Sequence, residues 1–258
     1  NGQDGQYSSV FLYGGQLAEP TGGGVAVSQA DITRLAGLLE PDAGPISGIF
    51  PAFVAGWTID HGVPGDFTAL REAVPGIRVE ARYATDNNFT GRSLMGYQGN
   101  DIYVRTEVAQ ALSQVQSALE AKGLGLLVYD GYRPQRAVDD IFAWLETSEP
   151  GNKADYYPEL NKSDLAGIYL AENSPHRQGI AVDLTLCELE TGQPLDMGTG
   201  FDFFSSSSWV GSKSITAQQQ ENRKLLQAAM SAAKFSVYSQ EWWHFNYTGS
   251  LSQNTARD

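Results

Sequence analysis

The sequence predicts an α+β fold, on three observations. Apolar residues recur at helical spacing in separate stretches, short apolar runs bounded by glycine and aspartate lie between them, and one segment alternates with the period-two pattern of a strand. A chain of 258 residues has room for one domain with an extension, or for two small domains, and can bury a core. Its texture changes near residue 65. Residues 1–65, rich in glycine and proline, are expected to form an irregular extension packed on or linked to a main domain that spans 66–258.

Within the extension, Ile32, Leu35, Leu38 and Leu39 share one face of a short helix over Asp31–Leu39, with Pro41 beyond its end. The main domain begins near Phe67. Val104, Val108, Ala111, Leu112, Val115, Ala118 and Leu119 recur as one face of an amphipathic helix that Thr106 can cap and Gly123 can stop. Leu124–Tyr129 is short, apolar and followed by Asp130-Gly131, so it reads as a buried strand entering a turn. A second helix is expected from about Pro134, carrying Val138, Ile141, Phe142 and Leu145 on one face.

From Gly179 to Leu186 the residues Ile180, Val182, Leu184 and Leu186 alternate with Ala181, Asp183 and Thr185, which is a strand with a carboxylate on its second face. Ser205–Ser208 reads as a loop. Thr216-x-x-Gln219 matches a capping box that opens a helix through Leu225, Leu226, Ala229 and Met230, and Phe235–Tyr247 is expected to be the last strand.

Composition removes several function classes. No uninterrupted apolar stretch reaches the roughly 18–20 residues needed to span a bilayer, so a membrane span is excluded. The formal charge of −13, from 30 acidic against 17 basic residues, disfavours a nucleic acid as partner. Cys187 is the only cysteine, so no internal disulfide and no Cys-x-x-Cys pair exist, and a bound metal must rest on nitrogen and oxygen. The first residue is Asn1 and no basic, then apolar, leader precedes it, which suggests processing. A periplasmic or secreted location is favoured over a cytoplasmic one.

The chemistry concentrates in two segments, Ser174-Pro-His176-Arg-Gln-Gly179-Ile-Ala181-Val-Asp183 and Glu241-Trp242-Trp243-His244. They hold two of the chain's three histidines. A catalytic zinc takes three ligands from His, Asp or Glu and keeps a fourth position for water, and His176, Asp183 and His244 supply that set. Gly179 permits a bend between the first two. Glu241 is the candidate general base, able to take a proton from water beside the metal and return it to a leaving amine. Taken singly, a His–Asp pair or a Glu-x-x-His is more often structural. His61, in Asp60-His-Gly62, is read as structural or surface, Trp242 and Trp243 as core with one of them a possible wall of the site, and Cys187 as a small buried residue.

Together the two segments resemble the zinc D-Ala-D-Ala peptidases that include the VanX-type dipeptidases (peptidase family M15, subfamily D). Asp130-Gly131-Tyr132-Arg133-Pro134, the stretch Tyr83 to Gly91, and Met197-Gly-Thr-Gly-Phe201-Asp202 are similar to further segments of that branch, in order, over about residues 67–248. The resemblance implies a hedgehog/D,D-peptidase-like α+β domain, with a central antiparallel sheet flanked by helices, and one Zn2+ per chain on His176, Asp183 and His244. It implies hydrolysis of D-Ala-D-Ala, or a closely related small D,D-dipeptide, by metal-activated water. Glu241 is then the base and Arg133 stabilises the oxyanion. Asp202 matches the position that receives a free amino terminus, with Ser174 adding a hydrogen bond. The residue-level alternatives are turn formation for Ser174, a loop or cap carboxylate for Asp202, and a buried ion pair for Arg133.

Two rival functions remain. A D,D- or L,D-carboxypeptidase acting on peptidoglycan stem peptides would keep the metal set but need an open groove where a dipeptidase closes on the amine. A noncatalytic binding protein would be expected to have lost Glu241 or Arg133, and both are present. No Gly-x-Ser-x-Gly elbow or nucleotide-binding glycine pattern occurs.

Overall fold

The computed structural model describes residues 66–97 and 99–251. The expected extension, its helix over Asp31–Leu39 and His61 lie outside the described residues. In chain order the elements are β1 (Phe67–Ala69), α1 (Leu70–Ala73), β2 (Arg78–Val79), β3 (Tyr103–Arg105), α2 (Thr106–Glu120), β4 (Leu124–Asp130), α3 (Gln135–Leu145), α4 (Lys153–Tyr156), β5 (Ala181–Glu188), α5 (Ala217–Ala232), β6 (Phe235–Val237) and β7 (His244–Tyr247). The fold is α+β, as expected. β1 and β3 make an antiparallel ribbon, and a five-stranded sheet runs in the order β2-β4-β5-β7-β6. The sheet is antiparallel except at one edge, where β2 runs parallel to β4.

Of the predicted stripe, helix α2 buries Val108, Ala111, Leu112, Val115 and Leu119, together with Gln116, while Ala118 is exposed and Val104 precedes the helix on β3. That buried amide is satisfied. Its oxygen accepts from the Leu126 amide at 2.9 Å and its nitrogen donates to Glu120, which ties the helix to β4. Gly123, at φ +72°, closes the end by donating its amide to the Glu120 carbonyl at 3.0 Å. The start differs from expectation. Thr106 is the first helical residue, and its hydroxyl donates to the Asp66 carbonyl at 3.2 Å rather than capping the helix. The reason is local: β3 runs directly into α2, so Arg105, with extended backbone, holds the cap position.

Helix α3 starts after Pro134 as expected, and its inward face holds Ala137, Val138, Ile141 and Trp144, with Phe142 and Leu145 at the margin. Asp140 also points inward. The Arg92 guanidinium donates to it in bidentate fashion at 2.7 and 2.8 Å, and the Met95 amide at 2.9 Å, so the loop after Tyr83 is anchored on this helix. At α5 the Thr216 and Gln219 side chains form the predicted reciprocal capping box.

The last strand is not one strand. Residues 235–247 fold back as the hairpin β6–β7, with Phe235 opposite Tyr247. The turn is closed by the Glu241 amide donating to the Tyr238 carbonyl at 3.2 Å and the His244 amide to the Glu241 carbonyl at 3.3 Å. Polar Ser239 and Gln240 suit this reversal, and it places Glu241 just before β7. The expected Ser205–Ser208 loop contains a 3-10 turn over Ser206–Ser208, whose last carbonyl accepts from the Trp242 amide at 3.1 Å. Its neighbour Trp243 is fully enclosed in a core that also holds Trp144, Tyr83, Phe89 and Phe204.

Candidate metal centre and substrate cavity

Strand register builds most of this site. β4 pairs Asp130 with Asp183, after an irregularity beyond Val128, and β5 pairs Asp183 with His244. Three polar side chains thus sit abreast on neighbouring strands. Every residue of β5 but the last is buried, so the second face of this strand is interior rather than solvated, and Asp183 is only 2% exposed.

His176 arrives from outside the sheet, on a 3-10 turn over Pro175–Gln178. Ser174 caps that turn, its Oγ accepting from the His176 amide at 3.3 Å. Gly179 closes it at φ +67°, and a Cβ there would lie 2.3 Å from the Phe67 ring, so both conformation and space demand glycine.

The outer partner of each imidazole determines which nitrogen faces inward. His176 Nδ1 lies 2.7 Å from the Gly131 carbonyl, which can only accept, so Nδ1 carries the proton and Nε2 turns its lone pair to the centre. His244 is arranged oppositely: Nε2 lies 3.3 Å from Asn246 Oδ1, and Nδ1 faces the centre. The inward atoms form a tight triangle. His176 Nε2 is 3.2 Å from His244 Nδ1 and 3.3 Å from Asp183 Oδ2, and His244 Nδ1 is 3.0 Å from Asp183 Oδ1.

Ligands about 2.0–2.2 Å from a tetrahedral zinc stand roughly 3.3–3.6 Å apart, so these residues fit such an ion after shifts of a few tenths of an ångström. The donor chemistry agrees, because two lone pairs and a carboxylate converge on one point. Burial pushes the Asp183 carboxyl upward, but the imidazoles of His176 and then His244, when protonated, pull it well below the usual carboxylate range, so it stands ionised.

Above the triangle is a cavity of about 220 Å³, whose walls include Tyr83, Arg133, Ser174, Asp202, Glu241 and Asn246. This is smaller than the roughly 300 Å³ at which drug-sized pockets begin. The structure therefore brings together Ser174, His176, Asp183, Glu241 and His244 of the two histidine segments with Arg133 and Asp202. Arg133 does pair with an acid, Asp130, at 2.8 Å, yet it also borders the cavity, with its guanidinium 4.9 Å from the Tyr83 ring centre and 3.6 Å from Asp183. Asp202 is buried at φ +57° and accepts from the Tyr83 hydroxyl at 2.7 Å. Burial, with Asp183 nearby, holds the Asp202 carboxyl well above its usual range. Burial, then Asp183 and Asp202, does the same for Glu241, whose Oε2 is 3.8 Å from His244 Nδ1.

A family model for peptidase M15, described as D-ala-D-ala dipeptidase, matches residues 65–258. The chain belongs to the peptidase M15 family. Its similarity extends to individual members. It is 39% identical over 181 residues, 69% of this chain and 90% of the relative, to the D-alanyl-D-alanine dipeptidase of Enterococcus faecium. It is 40% identical over 183 residues, 70% and 91% of the two chains, to that of Streptomyces coelicolor, and 34% identical over 171 residues, 66% and 79%, to that of Escherichia coli. The chain is thus a metallopeptidase of the VanX type, in a zinc-dependent family. No helix among the described residues is long and apolar enough to cross a membrane.

In this M15 chain three polar residues of the site escaped sequence reasoning as individuals. Asp130 accepts from Arg133 and, at 2.6 Å, from the Tyr97 hydroxyl. Its signal was available, since it precedes Arg133 by three residues at the end of a buried strand. Asn246 was legible as the residue two beyond His244, on the same side of a strand. Tyr97 gives no local signal. Burial raises the hydroxyls of Tyr83 and Tyr97, which keeps both as neutral donors to their aspartates. Trp242 and Trp243 are both core and neither walls the cavity, the former donating its indole N–H to Thr199 at 2.8 Å, and Cys187 is buried as expected.

Proposed function

We propose that the chain hydrolyses D-Ala-D-Ala, or a closely related D,D-dipeptide, with one zinc ion held by His176, Asp183 and His244. The observation that carries this reading is the triangle of inward donor atoms, 3.0–3.3 Å apart, at the floor of a small cavity that also holds Glu241 and Arg133. Zinc, when bound, supplies a Lewis acid and lowers the pKa of water at the site.

Glu241 takes the proton from the attacking water and delivers it to the leaving amine. Its raised affinity for a proton suits the second half of that task. Arg133, fixed by Asp130, directs its free edge at the oxygen that becomes negative as the carbonyl is attacked. Asp202 binds the substrate ammonium. The approach of that cation favours the ionised form that burial otherwise opposes. Ser174 keeps its hydroxyl proton available, because its cap bond uses the oxygen only as acceptor. On this reading residues 66–258 are the catalytic domain and residues 1–65 an extension.

The test is a comparison of D-Ala-D-Ala with N-acetyl-D-Ala-D-Ala as substrates of the zinc-loaded chain. The free dipeptide should be cleaved with much the higher kcat/KM, since acetylation removes the charge that Asp202 binds. Faster cleavage of the acetylated peptide would replace this reading with the carboxypeptidase one.

A further inference from the structure

The two imidazoles differ in what holds them. His176 Nδ1 rests on a backbone carbonyl at 2.7 Å, which no side-chain substitution removes, with Asp130 Oδ2 farther off at 3.5 Å, whereas His244 Nε2 has the side chain of Asn246. We infer that Asn246 is a positioning residue for the metal centre, selecting the His244 tautomer that presents Nδ1 to zinc. The inference rests on the zinc reading above.

The strand geometry sets the two side chains side by side. Asn246 lies two residues beyond His244, so both side chains leave β7 on the same side of the pleat. Its backbone is clamped from both flanks, opposite Ala181 of β5 and Ser236 of β6, so the amide cannot move away with the strand. His244 has acceptors on both sides for its one proton, and on the Nδ1 side the lone pair of His176 Nε2, at 3.2 Å, stands beside Asp183. Asp183 Oδ1 stands 3.0 Å from Nδ1, and Asn246 Oδ1 stands 3.3 Å from Nε2. A proton on Nδ1 would satisfy Asp183 and remove a metal ligand. Asn246 supplies the acceptor that draws the proton to the outer nitrogen and leaves the inner lone pair free.

Because Asn246 also borders the cavity, turnover alone cannot separate this role from contact with substrate. The readout is zinc affinity, measured by competition with a chromophoric chelator on the whole 258-residue chain and with zinc as the only added metal. Asn246→Leu, similar in size and without an acceptor, should bind zinc about 10–100-fold more weakly, the usual cost of losing such a partner. Asn246→Ala should do the same, and Asn246→Asp, which keeps an oxygen in place, should stay close to the unaltered chain. Thermal melting of the zinc-free variants guards against misfolding. Unchanged zinc affinity in both Asn246→Leu and Asn246→Ala would overturn the inference, as would equal losses in Asn246→Asp and Asn246→Leu. Should the unaltered chain bind zinc no better than His176→Ala, the zinc reading itself would fall and this inference with it.

Discussion

The guanidinium of Arg133 donates twice to a single oxygen of Asp130, from Nε at 3.0 Å and from Nη2 at 2.8 Å, while the other oxygen of that carboxylate accepts from Tyr97. Asp130 is fully buried, and Arg133 is nearly so. The pair therefore works as a mount: one edge of the guanidinium is fixed, the Tyr83 ring lies against its face, and the residue borders the cavity.

Arg133→Lys should lower kcat by about 10²–10³, the typical cost of one oxyanion donor, because an ammonium cannot keep both bonds to Asp130 and still face the cavity. Zinc content should not change. Asp130→Asn should lower kcat by up to about 10²-fold through misplacement of the same group. Steady-state kinetics beside metal analysis separates these effects from loss of the ion.

Gly179→Ala should destabilise the fold and loosen the metal site at once. The residue sits at φ +67°, and the new Cβ would meet the Phe67 ring at 2.3 Å, so backbone strain and overpacking add to about 2–4 kcal/mol. Denaturant titration measures the first effect. Weaker zinc binding measures the second, since the turn closed by Gly179 presents His176.

Asp140→Asn should show a pH-dependent loss of stability. Burial pushes the Asp140 carboxyl upward, but its bonds from Arg92 and the Met95 amide hold it below the ordinary carboxylate value, so its contribution is complete above that value and lost as pH falls through the lowered one. With Arg92 partly exposed, a loss of about 1 kcal/mol is expected near neutral pH, or about 2–4 °C in Tm. The wild type and variant should converge as the pH falls below about 3.9. A constant difference down to pH 3 would contradict the pairing.

The sequence made visible what depends on local periodicity and on side-chain chemistry. The stripe of α2, the buried run of β4, the capping box of α5 and the residues His176, Asp183, Glu241 and His244 all belong to that class. It did not show what depends on pairing between distant segments. The reversal between Phe235 and Tyr247 looked continuous because both arms are rich in aromatics, and only the register of β6 on β7 separates them. The same holds for Asp130. A carboxylate at a strand end is unremarkable until β5 lays Asp183 beside it. Tyr97 reaches that aspartate from a loop 33 residues away, and no spacing rule anticipates such a contact.

On the proposed function, three residues hold the ion while a fourth, Glu241, also buried and close by, does not. The decisive measurement is zinc content per chain, on the purified 258-residue chain and on Glu241→Gln and His176→Ala prepared alongside it. One zinc is expected in the unaltered chain, one in Glu241→Gln despite a fall in kcat of about 10²–10⁴, and little or none in His176→Ala. Zinc lost from Glu241→Gln, or retained in full by His176→Ala, would contradict it.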